Sequence, residues 1–520
     1  MTNNNSDYQY NRCSSRGICS INPTTASLQE VILLYLKYSA YYALELEKFG
    51  QHDKRIINLI LNTISILSSN YEISPVNFEM INSAFKTELP RIINNFENIS
   101  QIKDVPDTKG LLELGNELND YIRYGEKEFN NRLKTMSSEE RNLYRILFTL
   151  VKSLCINILI YESFEQNAEE DILSILEVLN LLNTPQKTKK ELKKIIDKIS
   201  DQDCHLMNSI RHAQEEMYGE QEEGEVSFST EKGKAILVVG SNIRELEQIL
   251  DVFKDENVDI YTHDNMILAH TFPKFREYKN LKGQYGQGME SCLLDFSTFP
   301  GPIVLTRNSL FNVESLYRGR LYTTDFSYSK GVIQIKNNDF SQVKKSAEES
   351  KGFKTGKKCK SEKIGFSIKQ IADKIIGKLS KGKFKQVYVI GNGGYSKEER
   401  EYFKSLIKHV PQDILVISLS WCEVNENTIC VNAANDIYGM NRLLETILKV
   451  CSQKITVFFP YSDRHTLSII INTAKNNNVF IGKWNQTFLN PNIIDGLKSA
   501  YGVLELTTPK NDLILLSDVK

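Results

Sequence analysis

The chain changes its hydrophobic period once, near residue 230, and that change limits the folds open to it. From residue 28 to about 219 apolar residues recur at helical spacing. Leu28, Ile32, Tyr35, Ser39, Tyr42, Leu46 and Phe49 follow alternating four- and three-residue steps and mark one buried face. Ser27 with Glu30 forms a capping-box pattern ahead of this first helix. Ser137 with Glu140 repeats it before a long apolar helix through Ile160. Thr184 and Pro185 start another, as N-cap and first helical residue. Helices in succession without strands predict an antiparallel bundle, or two stacked bundles.

Beyond residue 234 short apolar runs alternate with helical segments. The runs are Ala235–Val239, Val258–Tyr261 and Pro302–Leu305, then Gln386–Ile390, Ile414–Leu419, Ile455–Phe459 and Val479–Ile481. Such alternation predicts largely parallel sheets with helices on their faces. The acidic stretch from Glu220 to Gly233 reads as a linker. So does a basic stretch carrying Lys344, Lys345, Lys351, Lys354, Lys357, Lys358 and Lys360, since no aromatic platform accompanies the lysines. The expected architecture is α plus α/β multidomain. A helical bundle domain covers 1–225, and two Rossmann-like parallel α/β domains cover 234–345 and 364–520. A chain of 520 residues has room for about three domains.

A formal net charge of −1 gives no global field toward nucleic acid or membrane, so neither is expected as a partner. No apolar stretch is read as approaching the roughly 18 residues of a membrane span. The segment Met1–Arg12 is polar and Asn-rich, unlike a signal peptide, and the expected compartment is the cytoplasm. The 9 cysteines are scattered and odd in number, which argues against a secreted disulfide framework. Cys13 and Cys19 form the one close, motif-like pair.

The stretch AILVVGSNIRELEQIL, residues 235 to 250, reads as strand, tight turn and helix. Such turns often carry chemistry at the carboxyl end of a strand. This one offers Gly240, Ser241 and Asn242, and no strong ligand. GNGG at 391–394 also follows a strand and could receive an anion on backbone N–H groups. His263 and His270, seven apart, are expected on one helix face. Arg464 and His465 follow the strand Ile455–Phe459 closely.

Several segments, taken in order, resemble the hybrid-cluster (prismane) proteins, relatives of the nickel carbon-monoxide dehydrogenases. They are SSRGICSINPTTASLQEVILLYLKYSA, ILVVGSNIRELEQIL, VDIYTHDNMILAHTFPKFREYKNLKGQYGQGMESCLLDFSTFPGPIVLTRNSL and RLYTTD, then VYVIGNGGYSKEEREYF, NAANDIYG and FLNPNIIDGLKSAYG. The resemblance implies an N-terminal domain of two three-helix bundles followed by two α/β domains. It implies iron–sulfur reductases acting on hydroxylamine or nitric oxide. In that family a mixed iron–sulfur–oxygen cluster sits where three domains meet, held by one His, two Glu and four Cys, and a cubane cluster lies near the N-terminus.

Carried onto this chain, the family's His falls on Ser241 and its two Glu on Asn265 and Ser462. Its four Cys fall on Ser309, Gly393, Trp421 and Ala434. None keeps its ligand, and thiolates are what such clusters require. A one-residue slip restores Cys422 and Asp463, and adding Cys430 still leaves a poor set without imidazole. The expectation is a junction without metal, in which Trp421 fills part of the space. Ser241, Asn265, Ser309 and Ser462 would line the rest and hold water or a small polar ligand. Cys13 and Cys19 match half of the family's N-terminal motif. They are either relic free thiols or half of a 4Fe–4S cluster bridging a dimer. Two functional readings stand: a divergent hydroxylamine-reductase-type oxidoreductase with impaired chemistry, or a clusterless ligand-binding or regulatory protein, as a homodimer or paired with an active family member.

Overall fold

The computed structural model describes residues 23–69, 75–183, 187–286, 291–309, 314–326, 331–382, 384–393, 397–420, 425–482 and 489–518. Its N-terminal part is helical: α1 Pro23–Lys48, α2 Lys54–Ser69, α3 Pro75–Ile99, α4 Lys109–Leu112, α5 Leu118–Lys134, α6 Ser138–Ser163, α7 Glu169–Leu181 and α8 Lys189–Tyr218. The capping box at Ser137 forms: its Oγ accepts from Glu140 N at 3.2 Å, and Ser137 N donates to the Glu140 carboxylate at 2.8 Å. The pattern at Ser27 does not form one. α1 starts at Pro23, Ser27 is buried inside it, and Glu30 instead takes two hydrogen bonds from Arg132 on α5, at 2.6 and 3.0 Å. Thr184 and Pro185 lie outside the described residues; α8 starts at Lys189, capped by Thr188 in a box with Glu191.

α6 corrects the reading of membrane-span length. By length and composition it could cross a bilayer, yet 67% of its apolar window is buried inside the protein. It packs along α8, and its Leu147, Leu150, Val151 and Leu154 belong to the largest core. α1 and α5 cross closely at Gly125, where an added Cβ would sit 2.1 Å from the carbonyl oxygen of Ser27. Gly125→Ala is therefore expected to force the helices apart and cost about 1–3 kcal/mol, the range for overpacking. Urea unfolding checks this, and an unchanged midpoint would contradict the close crossing.

Two six-stranded sheets follow. The first contains β2 Lys234–Val239, β3 Val258–His263, β4 Leu281–Gln284, β5 Ile303–Leu305, β6 Leu321–Thr323 and β7 Ile333–Gln334 in the order β4-β3-β2-β5-β6-β7. The second contains β9 Gln386–Ile390, β10 Ile414–Ser418, β11 Thr428–Cys430, β12 Lys454–Phe459, β13 Asn478–Ile481 and β14 Leu504–Glu505 in the order β11-β10-β9-β12-β13-β14. All pairings within both are parallel. Each is the 3-2-1-4-5-6 order of a doubly wound sheet.

A sheet covered on both faces needs apolar residues at every strand position. Val387, Val389, Val457 and Ile481 face the core shared with the helical part, while Tyr388, Ile390, Phe458 and Phe480 face a second cluster under Tyr402 and Phe403. The first sheet divides likewise, with Ile236 and Val238 on one side and Ala235, Leu237 and Val239 on the other. The helical unit thus shares a continuous core with the second sheet, and reaches the first through Phe164, Ala213 and Tyr218.

The two segments read as linkers are more ordered than expected. β1, Gly224–Ser227, pairs antiparallel with β8, Ser361–Ile364, and Thr230 exchanges backbone hydrogen bonds with Lys357 at 2.9 Å. Lys344 and Lys345 lie on the helix Ser341–Glu349, whereas Lys351, Lys354, Lys357, Lys358 and Lys360 are exposed. Pairing one connection with the other ties the two α/β units side by side.

Candidate functional site at the junction of the three units

In a doubly wound sheet the chain turns opposite ways from the two central strands, and the loops leaving their carboxyl ends part to form a crevice. Here the central pairs are β2/β5 and β9/β12. Their two crevices contribute to one cavity of about 110 Å³, closed by the helical unit. Ser241, Asn242, Arg307 and Asn308 come from the first, and Asn392, Tyr461, Asp463 and His465 from the second. α6 adds Ile156 and Ile160, and α8 adds Arg211 and Gln214.

Three helices begin at this wall. Asn242 caps Ile243–Phe253, Asp436 caps Ile437–Val450 and Asp463 caps Arg464–Ala474. Each start carries partial positive charge from its aligned peptide dipoles. The capping contacts are Asn242 Oδ1 from Glu245 N at 3.2 Å, Asp436 Oδ1 from Gly439 N at 2.9 Å, and Asp463 Oδ1 from His465 N and Thr466 N at 2.9 Å.

Arg211 is the central cation, only 1% exposed. Its Nη2 donates to Asp436 Oδ2, and its guanidinium lies 5.3 Å from the Phe272 ring centroid. Its Nε and Nη1 have no hydrogen-bond partner among the described residues. Arg307 sits across the cavity, 3.8 Å from Glu245 and 4.5 Å over the Phe326 ring. Glu245 is buried, which pushes its carboxyl pKa up, although Arg307, Thr324 and the Arg307 backbone N–H oppose the shift. Burial, with Arg464 beside it, lowers the His465 pKa to about 4, so the ring is neutral at pH 7. Its Nε2 accepts from Arg464 Nε at 3.1 Å. Four left-handed non-glycine residues flank the cavity: Asp264, Asn308, Ala434 and Asn435 have φ of 60°, 63°, 45° and 61°. Such conformations are costly and concentrate at sites that hold something in place.

The residues singled out from the sequence divide among three situations. Ser241 and Asn265 line the cavity directly, Ser241 exposed and Asn265 accepting from Asn435 at 3.4 Å. Ser309, Gly393, Ala434 and Ser462 each sit one residue from a lining residue. Ser309 departs from the expected lining: its Oγ turns back to Thr306 O at 2.6 Å. Ser462 is buried, and its Oγ has no partner among the described residues. Ala434 packs beside Val226, Ile267 and Ile364. Trp421, Cys422, Cys13 and Cys19 lie outside the described residues. His263 ends strand β3, with Nε2 3.0 Å from Asp295, while His270 sits on the 3-10 helix Asp264–Thr271, so the two do not share a helix face.

The donor set at this junction differs in kind from the thiolates, carboxylates and imidazole of the cluster that the resemblance implies. Arg211 and Arg307 present only N–H groups, which have no lone pair for iron. The lining described contains amides, hydroxyls, two carboxylates already capping helices and one imidazole, that of His465, whose Nε2 already accepts from Arg464, and it contains no thiol. Cys430 is disulfide-bonded. At Gly393 even a Cβ would meet Glu399 Oε1 at 2.4 Å and Pro460 Cβ at 2.5 Å, so no cysteine fits there without rearrangement. Among the described residues no group of three or more His, Cys, Asp or Glu is placed to hold a metal ion. These residues do not fit an iron–sulfur–oxygen cluster.

Paired doubly wound sheets behind a helical unit, with a site at their junction, define a class that comparison with known proteins identifies. The Prismane/CO dehydrogenase family model matches residues 8–440, and the chain belongs to that family. Among individual relatives, it is 24% identical to a hydroxylamine reductase of Thermodesulfovibrio yellowstonii, with 97% of each chain covered. It is 26% identical to a hydroxylamine reductase of Methanococcus vannielii, again with 97% of each covered. A solved structure of acetyl-CoA synthase/carbon monoxide dehydrogenase alpha subunits aligns with a TM-score of 0.47 at 10% identity, over 97% of this chain and 83% of that one.

Proposed function

We propose that this chain is a cytoplasmic member of its family that has exchanged the hybrid cluster for a small-ligand site at the three-unit junction. The observation that supports this reading is the junction's chemistry: buried guanidinium and amide groups, and a Gly393 whose Cβ space is already filled. On this reading, reduction of hydroxylamine is absent, and the protein works by binding, either alone or beside an active relative.

Iron and acid-labile sulfide analysis of anaerobically purified protein tests it, together with a hydroxylamine-reduction assay. The expected result is no turnover and no mixed-cluster signal in electron paramagnetic resonance. Turnover accompanied by such a signal would sink the proposal. Iron held by the N-terminal thiols is identified separately with a Cys13→Ser, Cys19→Ser variant. Joint loss of iron and of dimer would mark a cluster shared between two chains. Unchanged mass and iron content would mark the pair as relic thiols.

A further inference from the structure

We infer that the junction cavity binds a small planar oxyanion, of the short-carboxylate or nitrate type. The inference rests on the ligand-site reading above and names its ligand class. The argument begins with an imbalance of donors and acceptors. The carboxylates lining the cavity are already engaged: Asp436 accepts from Gly439 N and Arg211, and Asp463 accepts from His465 N, Thr466 N and Tyr461 Oη. The donors are not. Arg211 Nε and Nη1 and Arg307 Nε have no hydrogen-bond partner among the described residues. A buried N–H left unpaired costs about 1–3 kcal/mol, more for a charged group, so the lining favours an acceptor-rich guest.

Charge and shape narrow the guest further. Three helices of 11, 14 and 11 residues start at the wall, and their positive ends add to the two guanidiniums. Planar guanidinium edges match planar oxyanions. A volume of about 110 Å³ admits only a few non-hydrogen atoms; for scale, an engineered apolar cavity of about 150 Å³ takes benzene. Asn392 Oδ1 has no hydrogen-bond partner among the described residues, and its amide, turned over, offers Nδ2 to the same guest. A hollow of about 500 Å³ shares Asn242, Arg307 and Asn308 with the cavity and so lies directly beside it.

The test is calorimetric titration of the full chain with sodium formate, acetate and nitrate at fixed ionic strength. Sodium chloride and neutral acetamide, nearly the shape of acetate, are the comparison solutes. One site per chain is expected for the oxyanions, at least tenfold tighter than for chloride or acetamide. Arg307→Gln, at a side chain that is partly exposed, should weaken oxyanion binding at least tenfold. Arg211→Lys keeps the charge but removes the planar edge, and should weaken binding further where circular dichroism shows it folded. Equal affinity for chloride, or oxyanion binding untouched in Arg307→Gln, overturns the inference. Preference for acetamide overturns it too, while leaving the ligand-site reading in place. Stoichiometric junction iron with the mixed-cluster signal removes both.

Discussion

Arg211→Ala is expected to destabilise the protein by about 3–5 kcal/mol, the cost of leaving one member of a buried ion pair unpaired. Arg211 and Asp436 are each 1% exposed. Removing the guanidinium strands the Asp436 carboxylate without its counter-charge, on a wall of the cavity where it is almost wholly buried. It also opens a void beside Phe272, over which the guanidinium packs. The loss should spread, because Arg211 belongs to α8, Asp436 precedes a helix of the second α/β unit, and Phe272 belongs to the first. One side chain therefore touches all three units. The double variant Arg211→Ala, Asp436→Asn removes the stranded charge and should lose less than the two single variants summed, since directly contacting residues couple. Guanidinium chloride unfolding measures all three. A single-variant loss below about 1 kcal/mol, as for an exposed pair, would mean that the pair is solvated and the junction looser than described.

Arg211 also shows where reading the sequence stopped short. Cys204, Met207, Arg211, Gln214 and Tyr218 follow three- and four-residue steps, and all are buried. An arginine on such a stripe signals a buried cation that must be paired, yet taken singly it looks like any charged residue of an amphipathic helix. The long strands were legible because both faces of each are covered, which makes the apolar run continuous, as in Gln386–Ile390. The edge strands Ile333–Gln334 and Leu504–Glu505 have two residues each, too few for any period to register. β1 and β8 gain their order from each other across more than 130 positions, so neither stretch announces a strand alone. The two Ser-x-x-Glu patterns make the same point. At Ser137 the acid caps its own helix, whereas Glu30 lies within reach of Arg132, 102 positions away, and that contact prevails. The place of the candidate cavity was legible through strand order, because doubly wound sheets part at the carboxyl ends of their central strands. Its chemistry was less so: Ser309 looked like a lining hydroxyl, but Thr306 O lay closer.

Between pH 7 and pH 4 the stability of the wild type relative to Asp203→Asn is expected to rise by about 2 kcal/mol. Asp203 lies on α8 and is fully buried. It accepts from Ser153 Oγ at 2.8 Å and Asn157 Nδ2 at 2.7 Å, both on α6, and from Ser468 of the second α/β unit. Burial pushes its carboxyl pKa up to about 6 from 3.8, although the three hydrogen bonds oppose the shift. The folded state therefore holds this proton more tightly than the unfolded chain does. Stability from that source is fully present below the unfolded pKa of 3.8 and is lost as pH rises through about 6. Asparagine cannot titrate, so subtracting the variant's stability at each pH removes the contribution of groups common to both proteins. What remains is the slope due to Asp203, whatever offset the amide introduces at pH 7. Urea unfolding at pH 4, 5, 6 and 7 gives that difference. A difference that stays flat would show that Asp203 ionises as an exposed carboxylate does, and that the seam between α6, α8 and the second α/β unit admits water.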